Sequence, residues 1–228
     1  MGASAPSDIT AEVRQTCDAI LTQWKSGSLP FGEAQQRLSD LYYIAEQESR
    51  PADQGYTELM RGILQGWRAN YSASIDHFER ARSFFAQVNN REQAMRCTLN
   101  IGEALRQHGS FARARQYFQM ANASAREIGH IPMQIVSRSN EAQMLITLKQ
   151  YAPALKALQE CFVLREVDWA QWHLPPERKD DSYAEITVAC ATVQLNLQNY
   201  GEAWRYALEA LDLAERIRLP LRVGMANR

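Results

Sequence analysis

The sequence predicts an all-α fold in which a pair of helices repeats about five times. Four aromatic residues lie 40 positions apart, at Phe31, Tyr71, Phe111 and Tyr151. Each is followed at +3 by a small residue, at +7 by a bulky apolar one and at +10 by an apolar or small one. This spacing places one apolar stripe along a helix. Its recurrence at a fixed period indicates stacked units.

A column of small residues predicts a second helix in each unit, nine residues before the aromatic. The column consists of Thr22, Gly62, Gly102, Ala142 and Ala191. Small side chains let two helices approach closely, and turn-forming or polar residues separate the column from the aromatic. Each unit is therefore predicted as a helix A, a turn and a helix B. The units span about 10–50, 55–90, 93–129, 132–165 and 182–218, and the last copy, at Tyr200, is displaced by 49 positions instead of 40.

The order of small residue, turn, aromatic, small residue and aromatic resembles the tetratricopeptide repeat (TPR), most clearly over 100–121. The resemblance covers roughly residues 10–228 and implies a right-handed α-solenoid whose A helices line a concave groove. The period of 40 exceeds the usual 34, as in the TPR variety found in peptide-sensing and signalling regulators. Two residues depart from the pattern, Thr22 in the small column and Arg61 where a leucine is usual, so the N-terminal helices match least well.

The composition excludes several classes of function. The 228 residues include 25 Lys and Arg against 26 Asp and Glu, which leaves no basic excess to attract nucleic acid or an anionic membrane. No apolar stretch reaches the roughly 18 residues of a membrane span, and residues 1–8 lack the features of a signal peptide. We therefore expect a cytoplasmic protein with a disordered tail over 1–9. Phosphate-loop, nucleophile-elbow and His-Glu-x-x-His motifs are absent, so we expect no enzyme activity and no cofactor.

The four cysteines are predicted to be small buried hydrophobic residues. They are Cys17, Cys97, Cys161 and Cys190. None forms a Cys-x-x-Cys pair or lies at ligand spacing from a histidine, so neither a metal site nor a disulfide is expected.

The predicted binding surface lies on the groove side of helix A, starting two residues before the small column. Asn100 and Asn140 hold this position in units three and four. An amide both donates and accepts hydrogen bonds, and in peptide-binding members of the family such residues hold the backbone of an extended peptide. The same faces carry Arg96, Leu99, Glu103, Arg106, Ser139 and Gln143. Arg96 and Arg106 would select carboxylates. The alternative is that all these residues form an ordinary solvated face.

A long link over 165–181 separates units four and five and contains Trp169 and Trp172 ahead of a Pro-Pro pair and a run of charges. Tryptophan is common at interfaces, so this pair is a possible contact with a partner or with the groove. The alternative is that it caps the apolar seam between the two units. Trp67 and Trp204 lie within helical stripes and are predicted in the core.

The last residues repeat an earlier pattern, since 217–225 matches 128–136. The chain is therefore expected to stop about halfway through a sixth helix A, over 219–228, although a short terminal helix is the simpler alternative. Together these features predict a non-catalytic, peptide- or protein-binding TPR module. The alternative is the N-terminal sensory domain of a longer signalling protein that controls an output domain, such as a nucleotide cyclase, a kinase or a transcription regulator. Homodimerisation through the C-terminal end is a third possibility.

Overall fold

A computed structural model describes residues 8–164 and 176–216, and these residues form ten α-helices and no β-strand. The helices are α1 (Ala11–Lys25), α2 (Phe31–Gln47), α3 (Pro51–Trp67), α4 (Tyr71–Gln87), α5 (Arg91–Gln107), α6 (Phe111–Glu127), α7 (Ile131–Thr147), α8 (Tyr151–Val163), α9 (Pro176–Asn196) and α10 (Tyr200–Arg216). The predicted all-α repeat of helix pairs is confirmed.

The 40-residue period has a simple structural origin. Helices α2 to α7 each contain 17 residues and are separated by three-residue turns. Helix starts therefore recur every 20 residues, and the A and B helices of these units are equally long. The B helices begin at the repeated aromatics Phe31, Tyr71, Phe111, Tyr151 and Tyr200. The long period thus reflects long helices and not long connections.

Each three-residue turn ends the preceding helix with a residue of left-handed backbone conformation. After α2, Ser49 has a φ of 52°; its N–H donates to the Glu46 carbonyl at 3.0 Å, and Arg50 N–H donates to the Ala45 carbonyl at 2.9 Å. These two bonds form a Schellman motif, which satisfies the last carbonyls of a helix. The same conformation recurs every 20 residues, at Ser49, Ala69, Asn89, Gly109, Gly129 and Lys149.

The chain divides into two compact units, with the boundary between Tyr117 and Phe118 inside α6. In the first unit α3 packs against α1, α2 and α4, and α4 packs against α5. The small column acts as predicted at Gly62, where an added Cβ would lie 2.5 Å from ring carbons of Phe78. The largest fully buried side chains of this unit include Leu38, Leu59, Leu64, Phe85, Ile101 and Leu105.

In the second unit α7 packs against α8, α9 packs against α10, and both α7 and α8 contact α9. Its core contains Ile135, Met144, Leu158, Tyr183 and Ile186.

The prediction that the four cysteines are buried is confirmed. Burial raises the pKa of each thiol to about 12. Such thiols stay protonated at neutral pH, which makes them inert as nucleophiles.

The core assignment of two tryptophans is wrong. Trp67 is 53 % exposed and Trp204 is 68 % exposed. Trp67 is the last residue of α3, beyond the part of the helix that its neighbours enclose. Trp204 belongs to a second stripe along α10 with Tyr200 and Leu208, which are 64 % and 50 % exposed. Apolar periodicity identified the stripe but could not show whether a neighbouring element covers it.

Helix α9 begins at Pro176, inside the predicted 165–181 link. Proline is favoured at the first helical position because its missing N–H needs no partner there. Trp169, Trp172 and the predicted sixth helix over 219–228 lie outside the described residues, as does the predicted disordered tail up to residue 7.

Candidate functional site

The predicted binding residues lie on two helices, one in each of the two compact units of the chain. Helix α5 carries Arg96, Leu99, Asn100, Glu103 and Arg106, and α7 carries Ser139, Asn140 and Gln143. Leu99 and Ser139 are only 7 % and 8 % exposed, so they offer little surface to a ligand.

Asn100 lies on the middle of α5 and is half-buried. Its carboxamide forms no hydrogen bond with any described residue. The preceding units place buried apolar residues at the same repeat position, Ile20 and Met60. Asn100 therefore presents an uncommitted donor and acceptor on a helix that neighbouring helices hold in place.

A pocket of about 280 Å³ opens beside Asn100, between α3, α4 and α5. Its lining consists of Ile63, Gly66, Trp67, Tyr71, Ser74, Phe78, Asn100, Glu103, Ala104 and Gln107. Sequence reasoning found Asn100 and Glu103 but missed the walls on α3 and α4. The repeated aromatic at Tyr71 could have indicated the wall on α4. The residue that starts each helix B lies at the turn where a helix A ends, and there it can border such a pocket.

Glu103 and Arg106 are partners of each other. Arg106 donates to both carboxylate oxygens, from Nε at 2.8 Å and from Nη2 at 2.5 Å, and Gln107 adds a third donor at 2.8 Å. Hydrogen bonding to Glu103 raises the pKa of Arg106 above its ordinary value. The charge that the sequence assigned to ligand selection is thus offset within α5.

Arg96 has a different environment, since it forms no ion pair with a described residue and is half-buried. Its charge acts on the phenol of Tyr56, over whose ring the guanidinium of Arg14 lies at 5.3 Å. Burial and a hydrogen bond to Asp18 raise the pKa of Tyr56 to about 12, although both cations oppose the rise. Tyr56 is thus flanked by two cations, Arg96 and Arg14, and by one carboxylate, Asp18.

An aromatic cluster borders the pocket at the turns. The ring centroid of Trp67 lies 5.4 Å from that of Trp24, and Lys25 Nζ lies 3.7 Å from the Trp67 centroid. Tyr71 meets His108 edge to face at 6.3 Å. These contacts hold two exposed or half-exposed rings at the mouth of the pocket.

On α7, in the second unit, Asn140 is half-buried and Gln143 is exposed. The Asn140 carboxamide, like that of Asn100, forms no hydrogen bond with the described part of the chain. The adjacent Arg138 is occupied, because it pairs with Glu141 and, at 2.6 Å, with Glu160. The Asn140 amide is thus uncommitted although the nearby Arg138 is paired.

The buried carboxylate of Glu58 serves the fold. Arg61 donates to it at 2.6 Å, Arg80 donates at 2.9 Å, and His77 Nδ1 lies at 2.7 Å. Burial alone would raise the pKa of Glu58, but the hydrogen bonds from His77 and Arg80 outweigh it and leave the pKa below its ordinary value. The atypical Arg61 is thereby explained as the partner of an internal acid.

Within residues 8–164 and 176–216, no three His, Cys, Asp or Glu side chains come together as they would around a metal ion. None of the helices described has the length and apolar character needed to cross a membrane.

No protein-family model and no curated protein sequence matches the chain, whereas several solved structures match its fold. The apo form of RapI is 16 % identical, with a TM-score of 0.67 over 90 % of this chain and 71 % of its own. A Rap protein complexed with competence and sporulation factor is 11 % identical, with a TM-score of 0.73; the match covers 96 % of this chain and 59 % of that one. The TPR-like repeats of a putative kinesin light chain from Podosopora anserina are 12 % identical, with a TM-score of 0.66 over 91 % of this chain and 96 % of that one. The predicted TPR-like repeat fold is confirmed.

Proposed function

We propose that the chain is a non-catalytic cytoplasmic module that binds an extended peptide or protein segment in the groove of its A helices. One observation carries the proposal. Asn100 and Asn140 occupy the same repeat position, both are half-buried, and neither carboxamide is bonded to a described residue. Neither amide contributes a hydrogen bond to the fold of the described residues, so the donor and acceptor of each are available to a bound segment.

Each carboxamide can donate to a peptide carbonyl and accept from a peptide N–H. Each of the two residues would hold the backbone of an extended segment irrespective of its side chains. Charge selection falls to Arg96, because Arg106 is already neutralised by Glu103. The segment is therefore expected to carry a carboxylate that Arg96 can bind. The net charge of −1 supports a protein partner over nucleic acid or a membrane surface.

The likeness to a Rap protein complexed with competence and sporulation factor supports this proposal at the level of the fold. A helical repeat of this type exposes an extended surface to partners, because each unit packs only against its neighbours.

The test is a selection of random 12-residue peptides on the full chain, followed by titration of the enriched sequences. Asn100→Ala and Asn140→Ala are each expected to weaken binding about tenfold, since each removes a hydrogen-bonding pair worth about 1–2 kcal/mol. Asn196→Ala is the matched control: this exposed amide on α9 bonds only to the Thr192 carbonyl of its own helix. The control should bind as the wild type does.

Enriched peptides whose affinity is the same in all three variants would contradict the proposal, because the two amides would then be ordinary solvated side chains. Thermal unfolding of each variant separates lost binding from lost structure. A half-exposed amide makes little contribution to packing, so we expect melting temperatures within about 2 °C of the wild type.

A second candidate is a regulatory domain whose occupied groove alters a distant part of the protein. The likeness to the Rap structures favours it. Hydrogen exchange distinguishes it from a simple docking module. A regulatory domain predicts altered protection in α10, which packs against α9, when an enriched peptide binds. Simple docking confines the change to α5, α7 and the helices that pack directly against them.

A further inference from the structure

The pocket beside Asn100 has the volume of part of a ligand. At about 280 Å³ it lies just under the range of roughly 300–1,000 Å³ that encloses whole small molecules. Its walls are mainly the rings of Trp67, Tyr71 and Phe78 with the aliphatic side chain of Ile63. A cavity of this size and lining suits one large amino-acid side chain.

Two residues of the pocket lining are small, Gly66 on α3 and Ala104 on α5. Gly66 also allows a close approach between α3 and α4, because an added Cβ would meet the Ser74 hydroxyl at 3.1 Å. The Ser74 hydroxyl is not available to a ligand as a donor, because it donates to the Gly62 carbonyl at 2.8 Å. The interior therefore offers contact area with few free polar groups.

The electrostatics favour an uncharged occupant. Glu103 is the one charged residue of the lining, and three donors from Arg106 and Gln107 already satisfy it. A cationic side chain would have to displace Arg106, and an anionic one would approach Glu103 without a cation in the lining. Lys25 Nζ already lies 3.7 Å from the Trp67 ring centroid, so a further cation gains little from that ring.

We infer that this pocket binds one large uncharged side chain, aromatic or aliphatic, from the segment held in the groove, while Asn100 bonds to the backbone beside it. The inference rests on the proposed function and adds its sequence preference. The apolar side chain of the bound segment would lie in the pocket between α3, α4 and α5. The carboxylate that Arg96 binds would lie one helical turn from Asn100 along α5, because Arg96 and Asn100 are four residues apart.

The test uses single blocked amino acids as probes: N-acetyl-phenylalaninamide, with the corresponding lysine, aspartate and glycine compounds for comparison. NMR titration of the full chain follows the Asn100 side-chain amide and the Trp67 indole. The phenylalanine probe is expected to shift both signals saturably and to bind at least tenfold more tightly than each of the other three. A lysine or aspartate probe that binds as well as the phenylalanine probe overturns the inference.

Two variants locate the site. Ala104→Leu fills the pocket, and Trp67→Ala removes a wall that is 53 % exposed and therefore contributes little to folding. Each substitution should weaken binding of the phenylalanine probe at least tenfold. If the Ala104→Leu variant does not fold, the Trp67→Ala variant still tests the site, because its binding can be followed through the Asn100 side-chain amide. Asn196→Ala, at the exposed amide on α9 that bonds to the Thr192 carbonyl, should change the affinity less than twofold.

This outcome is independent of the first test. Selected peptides that depend on Asn100 and Asn140, together with a phenylalanine probe that shifts no pocket signal, would leave groove binding intact and refute the pocket. If the probe binds saturably but the selected peptides do not depend on the two amides, the pocket stands and groove binding through the amides is refuted.

Discussion

Gly62→Ala tests the close helix approach on which the repeat depends. Gly62 lies on α3, and an alanine Cβ there would be 2.5 Å from Cδ1 and Cε1 of Phe78 on α4. Real Cβ atoms do not approach ring carbons so closely, so one of the two helices or the ring must move. Phe78 is 4 % exposed, so a displaced ring must either press on the buried side chains around it or move into the pocket that it lines.

The magnitude follows from two opposing effects. Overpacking a well-filled core costs about 1–3 kcal/mol, and contact with two ring carbons of a buried side chain places this site at the upper end. Alanine recovers about 1 kcal/mol, because its helix propensity exceeds that of glycine. The net expectation is a free energy of unfolding lower by about 2 kcal/mol.

The matched control is Gly32→Ala on α2, where an added Cβ meets nothing within 4 Å. There the propensity acts alone and should raise the free energy of unfolding by about 0.5–1 kcal/mol. Urea unfolding followed by circular dichroism measures both variants, with unchanged slopes as the condition for comparing them. Equal stabilisation by the two substitutions would refute the packing argument for Gly62, and with it the structural meaning of the small column.

Three further predictions concern other parts of the chain. Glu58→Gln should lower the free energy of unfolding by about 2 kcal/mol at pH 7, because it removes the buried carboxylate that Arg61, Arg80 and His77 all contact. Folding lowers the pKa of Glu58. The contribution of its carboxylate to the free energy of unfolding is therefore complete above the ordinary carboxyl pKa and is lost as pH falls through the folded-state pKa. The free energy of unfolding of the variant, measured across the acid range, should lack this loss. Ala69→Gly, at a φ of 58°, should raise the free energy of unfolding by about 0.5–1 kcal/mol in urea melts, and a loss would contradict the left-handed turn. If the chain forms a homodimer through its C-terminal end, the exposed apolar stripe of α10 is the expected contact. Trp204→Ser should then lower the apparent mass on size exclusion at high concentration, with little change in melting temperature. A wild-type apparent mass that does not change on dilution argues against self-association.

The helix pairs were predictable because they depend on local, repeated signals. Aromatic residues at 40-residue intervals fix where each helix B begins, and Gly62 marks a close approach that only a very small residue allows. The turns were less predictable. Ala69 and Lys149 adopt the left-handed conformation without being glycine or asparagine. This conformation is unfavourable for such residues, and the two Schellman hydrogen bonds of each turn offset its cost. The sequence alone does not show that these bonds form.

Ion pairing could not be assigned before the structure was known. Arg106 and Glu103 are three residues apart and could have faced a ligand separately, yet they pair on the helix surface. Arg96 lies about two turns earlier than Glu103 on the same helix and forms no such pair with a described residue. Sequence spacing permits an i,i+3 pair, but whether it forms depends on rotamers and on competing neighbours such as Gln107.

The position two residues before the small column shows why chemistry should be sought where the repeats differ. Ile20 and Met60 are 3 % and 2 % exposed there, so packing in the first two units is served by an apolar side chain. An asparagine at the same place in later units loses that apolar contact and gains no internal hydrogen bond among the described residues. Full desolvation of such an amide without a partner would cost about 1–3 kcal/mol, but partial exposure leaves it hydrated. A bound backbone can replace that water with directed hydrogen bonds. The columns that all units share therefore specify the scaffold, and Asn100 and Asn140 are the substitutions whose chemistry the scaffold does not require.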